Sequence, residues 1–306
     1  MKRAKIKENF KDHLLMTIIY ISLGLLFFAS LYPIIYVVSA SFSSANAIAT
    51  GSVVLWPKEF SLMAYDYVVH YKDIWVGYAN TIFYTAVGTA INLAATLPCA
   101  YALSRRDMPG RGFIMVLFLI TNYFSGGMIP AYMNLNDLGL LNTRWALLLP
   151  GAVSVFNLIV ARTYFGSSIP WELHEASFMD GCNDAKIFGK IILPLSKPLL
   201  GVQLLYYAVA HWNNYFHAMI YLEDRELMPL QVFLKEILAE GEFAATALQE
   251  GGSFSIDQMA AMIQQTETAE VVKYAMIVVS TLPIMILFPF LQKYFEKGIM
   301  IGAVKG

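Results

Sequence analysis

Six apolar stretches recur along the chain, and each is long enough to cross a lipid bilayer as a helix. They cover residues 14–40, 77–104, 113–134, 145–164, 199–222 and 274–292. A membrane-spanning helix needs about 20 consecutive apolar residues. Apart from Arg162 near the end of the fourth stretch, none of the six contains Asp, Glu, Lys or Arg. The sequence therefore predicts an all-α membrane protein with six transmembrane helices.

The composition excludes a water-soluble domain. Of the 306 residues, 58% are hydrophobic and 14% are charged, whereas soluble domains carry roughly 25% charged residues. The first apolar stretch is too long for a cleaved signal peptide, and five more follow it. The net charge of −1 gives no indication of a nucleic-acid partner.

The distribution of basic residues predicts the orientation of the spans. With the N-terminus in the cytoplasm, 15 of the 21 Lys and Arg residues fall in cytoplasmic segments, as the positive-inside rule requires. We therefore expect both termini to be cytoplasmic. The predicted segments are a cytoplasmic N-terminus (1–13), a first span (14–40), an external loop (41–76), a five-span core (77–292) with a cytoplasmic insert (168–194) and an external loop (223–273), and a cytoplasmic tail (293–306).

The second external loop carries helix signals of its own. Five apolar residues between Leu230 and Leu238 recur at helical spacing. Gly241 and the pair at 251–252 are expected to end this helix. Ser255 and Gln258 match a capping box that restarts a helix leading into the last span. This loop either docks a partner or is a solvated connector.

The cytoplasmic insert is predicted to form a short helix, a turn and a second short helix. Pro170 suits the first helical turn, and Gly181 suits a helix end that needs a left-handed backbone. Asn183 or Asp184 is a suitable cap for the second helix, which Pro194 is expected to end. A rigid insert of this kind is able to pass force from a cytoplasmic partner to the spans, although an ordinary surface helix pair would give the same pattern.

The insert resembles the EAA motif of bacterial ABC importer permeases. The residues that carry the resemblance are Glu175, Ala176, Ser177, Asp180, Gly181, Phe188 and Pro194. In that family the motif forms a helix that seats in a groove on the ATPase subunit. The resemblance implies that these residues couple the chain to an ATPase, and we call residues 168–194 the coupling segment.

Other stretches are similar to maltose-type carbohydrate permeases, and most similar to oligosaccharide permeases of the LplC/YtcP type. They are Asn80-Thr81, the 100–105 and 109–110 segments, Trp212 to Asn214, and the tail 297–306. The resemblance implies a MetI-like bundle in the bacterial inner or plasma membrane. It further implies Gly302 and Lys305 near the ATPase, and a loop at 249–253 that reaches an external binding protein.

The same resemblance implies a set of partners and a carbohydrate substrate. The partners are a second homologous permease, an ATPase dimer that uses ATP and Mg²⁺, and an extracytoplasmic sugar-binding lipoprotein. The sequence contains no P-loop, no H-E-x-x-H and no G-x-S-x-G, and its five histidines lack metal-ligand spacing. We therefore expect a non-catalytic subunit without a cofactor or a metal of its own.

Polar residues concentrate in the fifth apolar stretch. His211, Trp212, Asn213, Asn214 and His217 occupy two adjacent helical faces. Polar groups inside a membrane are costly unless they face protein or a water-filled cavity. These residues either line a sugar pathway or form interhelical hydrogen bonds. Weaker candidates for such a pathway are Asn92, Asn122 and Tyr123, and prolines 33, 98, 150, 283 and 289 are expected to kink or end spans.

Two other functions are compatible with a multi-span chain. A stand-alone secondary transporter would need ionisable residues inside the membrane for ion coupling, and the six stretches contain no acidic residue. A membrane-embedded enzyme would need a nucleophile with a base, or a set of metal ligands. Neither arrangement is visible in the sequence.

Overall fold

The computed structural model describes residues 10–249 and 255–303, and this part of the chain is helical with no strand. The helices are α1 (Phe10–Ser41), α2 (Ala45–Ala49), α3 (Met63–His70), α4 (Lys72–Ser104), α5 (Arg111–Tyr123), α6 (Met128–Asp137), α7 (Trp145–Leu148), α8 (Val155–Ser168), α9 (Trp171–Met179), α10 (Asp184–Ile187), α11 (Leu193–Leu195), α12 (Lys197–Trp212), α13 (Phe216–Tyr221), α14 (Leu230–Gln249) and α15 (Ile256–Ala303). A π-helical turn, Phe188–Ile192, joins α10 to α11, and a 3₁₀ turn, Arg225–Leu227, precedes α14.

The chain divides into two compact units. The first comprises residues 1–70 and 236–279, and the second comprises residues 71–235 and 280–306. In the first unit, the ring of Phe42 stacks on Tyr65 with centroids 4.9 Å apart, and Tyr36 meets Tyr274 edge to face at 5.7 Å. Most apolar side chains of α1 are exposed, as expected of a helix whose surroundings are lipid or another membrane helix.

The helices of the second external loop differ from the prediction at one glycine. The expected helix from Leu230 is confirmed, but it continues through Gly241 to Gln249. A Cβ on Gly241 would lie 2.5 Å from the Cβ of Ala269, so the glycine permits a close approach of α14 and α15. The capping box is confirmed, since the Ser255 amide donates to Gln258 Oε1 at 3.0 Å and the Gln258 amide donates to Ser255 Oγ at 3.2 Å.

In the second unit, α4 packs mainly against α8 and α12. Two apolar clusters hold these helices together. One surrounds Leu103, Leu158 and Ile187, and therefore joins α4 and α8 to the coupling segment. The other surrounds Tyr84 and Leu148, and joins α4 to α7 and α13.

The Asn80-Thr81 motif connects α4 to the start of α14. The Asn80 amide donates to the carbonyls of Glu226 and Met228 at 2.7 and 3.1 Å, and Thr81 Oγ1 accepts from the Leu230 amide at 2.9 Å. These are backbone groups that the end of one helix and the start of the next leave unpaired. Within the second unit, this motif satisfies them.

The helices match some predicted spans and interrupt others. Three helices of the described part are long and apolar enough to cross a membrane, namely 11–41, 72–104 and 256–289. Two further pairs, α5 with α6 and 184–195 with α12, pass the same test together but bend by 113° and 86°. Counting each bent pair as one span gives five, so the number of six and the orientation of the termini stay predictions.

Single uninterrupted helices over 113–134, 145–164 and 199–222 are therefore wrong. The second of these stretches divides into α7 and α8 with a break at 149–154, and the third divides into α12 and α13 with a break at 213–215. Pro150 lies in the first break, whereas Pro33, Pro98, Pro283 and Pro289 lie inside helices. An apolar composition reports that a segment avoids water, but it does not report whether its backbone stays helical.

Candidate functional site

A cavity of about 640 Å³ lies in the second unit beside both helix breaks. Its lining carries no Asp, Glu, Lys or Arg among the described residues, but it is rich in amide, imidazole and phenol groups. The polar lining residues are Asn92, Ser154, Asn157, Tyr207, His211, Asn213, Asn214, Tyr215, His217 and Tyr221. These groups donate and accept hydrogen bonds without carrying a fixed charge.

The first break is held by side chains from neighbouring helices. Asn92 Nδ2, on α4, donates to the carbonyls of Gly151 and Ala152 at 3.2 and 2.9 Å. The Ser154 amide donates to the Tyr207 hydroxyl at 3.2 Å. Non-helical backbone is tolerated at membrane depth only where protein or a cavity satisfies its polar groups. Both conditions are met at this break.

His211 is fixed against Asn92 in a defined protonation state. Because Asn92 Nδ2 donates to backbone carbonyls, its Oδ1 is an acceptor, and His211 Nε2 lies 2.6 Å from it. His211 Nε2 must therefore carry a hydrogen. Gly88 makes room for the imidazole, since a Cβ at Gly88 would lie 2.4 Å from that nitrogen.

The five residues predicted for the substrate pathway separate into two groups. His211, Asn213, Asn214 and His217 line the cavity, and His217 Nδ1 lies 3.0 Å from Asn214 Oδ1. Trp212 does not line it. Its ring is buried, and its Nε1 donates to the Ser280 carbonyl at 2.8 Å.

The weaker pathway candidates also separate. Asn92 lines the cavity, whereas Asn122 and Tyr123 are exposed and lie outside its lining. Sequence reasoning missed Asn157 and Tyr207. The rule that singled out His211, a polar residue within an apolar stretch, would also have found Asn157.

The coupling segment has the predicted helix, turn and helix, with one difference. α9 ends at Met179, and Gly181 takes the left-handed conformation with φ +74°. Asn183 caps α10, its Oδ1 accepting from the Lys186 amide at 2.9 Å. Pro194 does not end the second helix, which continues to Leu195. The preceding π turn and the short α11 place Pro194 in a first helical turn, where its missing N–H is tolerated.

One side of the coupling segment is exposed. Glu175, Ala176, Asp180 and Pro194 are exposed, and Met179 retains 88% of its accessible surface. Ser177 is buried, and its hydroxyl donates to the Leu173 carbonyl at 2.6 Å. Phe188 is partly buried against the cluster around Leu158. The segment therefore offers an exposed apolar tip flanked by acidic residues and packs its other side on α4 and α8.

The predicted contacts near the C-terminus are described only in part. Gly302 belongs to α15, whereas Lys305 lies outside the described residues. The predicted loop at 249–253 also lies outside them, apart from Gln249. Within residues 10–249 and 255–303, no group of three His, Cys, Asp or Glu residues is placed to hold a metal ion.

Known proteins share this sequence and this fold over nearly the whole chain. The permease YtcP of a polygalacturonan/rhamnogalacturonan transport system in Bacillus subtilis (strain 168) is 39% identical over 296 residues, covering 97% of this chain and 100% of YtcP. Protein LplC of the same organism is 39% identical over 277 residues, covering 90% of each chain. The crystal structure of a bacterial ABC transporter involved in the import of the acidic polysaccharide alginate contains a similar chain, with 37% identity, a TM-score of 0.81 and coverage of 95% and 100%.

These likenesses confirm the permease fold and the membrane location that the motifs imply. The family model described as the binding-protein-dependent transport system inner membrane component matches residues 74–301, which include the cavity and the coupling segment. The chain therefore belongs to the family of binding-protein-dependent transport system inner membrane components, the permease subunits of ABC importers.

Proposed function

We propose that this permease carries an oligosaccharide through the cavity beside the two helix breaks. The observation that supports it most is the lining, in which amides, imidazoles and phenols converge on a space of about 640 Å³. Sugar hydroxyls need many donors and acceptors at close range, and sugar rings pack on aromatic faces. The names of relatives such as YtcP and LplC, and the alginate importer, point to the same class of substrate.

We further propose that the chain works with a second permease, an ATPase dimer and an external sugar-binding lipoprotein. The ATPases bind ATP with Mg²⁺ and supply the energy, while this chain supplies the pathway. In this arrangement the coupling segment and both termini face the cytoplasm, and the loops 41–76 and 223–273 face outward. The exposed side of the coupling segment, with Met179 at its tip, seats on the ATPase.

Transport by the reconstituted complex tests the pathway. The tagged chain is purified with its partners, placed in proteoliposomes with the binding protein, and assayed for uptake of labelled oligosaccharides. We expect Asn213→Ala and Asn214→Ala to lower uptake strongly. Asn122→Ala is the matched control, because it removes the same amide from an exposed position outside the cavity. Unchanged uptake in both cavity variants would contradict the proposed pathway.

ATP hydrolysis tests the coupling. Gly181→Asp adds a charge to the exposed side of the coupling segment at a left-handed position that Asp tolerates better than most residues. We expect hydrolysis that is no longer matched by uptake. Gly139→Asp is the control, since Gly139 has φ +66° and equally open surroundings in another loop. Uptake that needs no ATP and no ATPase would instead support a secondary transporter.

A further inference from the structure

Two side chains at the end of α4 hold the coupling segment. The Tyr101 hydroxyl lies 3.2 Å from His174 Nδ1, on α9. The Tyr101 ring also packs on Phe188, in the π turn, with centroids 5.2 Å apart. One residue of α4 therefore contacts both helical parts of the coupling segment.

Arg105 makes the second attachment. Its guanidinium pairs with Asp107, in the loop that follows α4, and with Asp184, at the start of α10. It also lies 5.8 Å from the centroid of Phe178 at the end of α9. The Arg105 side chain is only 12% exposed, so these pairs are shielded from solvent more than an ordinary surface salt bridge. Pairing with Arg105 lowers the pKa of Asp107.

His174 is packed so that it moves with its surroundings. It is 5% exposed, and its ring contacts Trp171 at 4.9 Å and Phe178 at 5.3 Å as well as Tyr101. Its Nε2 is buried and has no hydrogen-bond partner among the described residues. The imidazole is thus enclosed by aromatic rings from α4 and α9, and the Tyr101 hydroxyl is its directional contact.

The same helix reaches the cavity. Asn92, which holds the first helix break and His211, lies nine residues before Tyr101 on α4, a distance of about 14 Å along the axis. The helix is continuous between them although Pro98 lies in this interval. A displacement imposed on Tyr101 and Arg105 therefore has a short and continuous route to the wall of the cavity.

We propose that Tyr101 and Arg105 are positioning residues that join the coupling segment to α4, so that movement of the segment shifts Asn92 and the first helix break. The proposal rests on the proposed function, because it assumes that an ATPase moves the coupling segment. It assigns to His174, Asp184 and Phe188 the inner side of the segment, opposite to the side that seats on the ATPase.

A matched pair of variants tests the joint in the whole reconstituted complex. Asp184→Asn removes the carboxylate that belongs to the coupling segment, whereas Asp107→Asn removes the one in the loop after α4 and leaves the joint intact. Changes along a coupling network amount to about 0.5–2 kcal/mol, or roughly 2–30-fold. We expect Asp184→Asn to lower the amount of sugar transported per ATP hydrolysed by a factor in that range, and Asp107→Asn to leave the ratio unchanged.

Tyr101→Phe provides a second and independent variant, because it keeps the ring and removes only the hydroxyl. We expect the same fall in the ratio, with the ATPase still co-purifying in normal amount. A normal ratio in both Asp184→Asn and Tyr101→Phe, while Gly181→Asp still uncouples the complex, would overturn the joint and leave the proposed function standing. A chain that recovers no ATPase would overturn both.

Discussion

The contact between Gly88 and His211 gives a sharp test of the cavity wall. In Gly88→Ala, the new methyl group would meet three atoms of the imidazole at 2.4–2.8 Å. Those distances are too short for any carbon contact, so the ring must move. The ring is fixed to Asn92 by a hydrogen bond of 2.6 Å, and that bond is lost when the ring turns away.

The expected cost follows from three terms. Alanine is favoured over glycine inside a helix by about 1 kcal/mol. Overpacking costs about 1–3 kcal/mol, and leaving the Asn92 carbonyl unpaired costs about 1–3 kcal/mol more. The net effect is a loss of roughly 1–5 kcal/mol, and each kcal/mol lowers the melting temperature by about 2–4 °C in a chain of this size class.

Thermal unfolding of the purified chain in mild detergent measures this effect. Gly166→Ala is the matched control, because Gly166 lies inside α8 with nothing within 4 Å of its Cβ position, and it should raise the melting temperature slightly. In a His211→Ala background the imidazole is gone, so Gly88→Ala should become neutral or stabilising. A rise in melting temperature for Gly88→Ala in the unmodified chain would refute the reasoning.

Three further predictions concern single positions. Burial and the nearby Arg105 lower the pKa of His174 below its ordinary 6.5, so the unfolded chain binds more protons and stability should fall as the pH drops below about 6.5; His174→Gln should flatten the pH dependence of the melting temperature. Gly181→Ala should lower that temperature because a left-handed alanine costs about 1–2 kcal/mol, and Gly181→Asn should lower it less. Trp212→Phe loses the hydrogen bond to Ser280, worth about 1 kcal/mol, and should reduce stability while uptake by the folded protein in liposomes stays unchanged.

The local features of the fold were predictable because their causes are local. A capping box needs only Ser255 and Gln258, and a helix end at Gly181 needs only one residue that accepts a positive φ. The apolar stretches predicted helices in a membrane protein for the same reason. Each of these signals operates over a few residues or one continuous stretch, which is the range that a sequence pattern reports.

The helix breaks were not predictable because their causes are distant. The carbonyls of Gly151 and Ala152 are satisfied by Asn92, 59 and 60 residues earlier in the chain. An unpaired backbone group inside a membrane is so costly that a break exists only where such a partner arrives. Gly241 shows the same limit, since it permits contact with Ala269 rather than ending a helix.

The polar residues of the fifth stretch illustrate why two interpretations of one motif can both apply. Asn92 uses both amide hydrogens on backbone carbonyls and its oxygen on His211, which leaves it little capacity for a ligand. Trp212 is likewise occupied by Ser280. The Asn213 side chain, by contrast, lines the cavity and makes no hydrogen bond with any described residue. We therefore infer that one set of polar groups stabilises the broken helices, and that the break itself presents the other set to the cavity, where a saccharide would meet it.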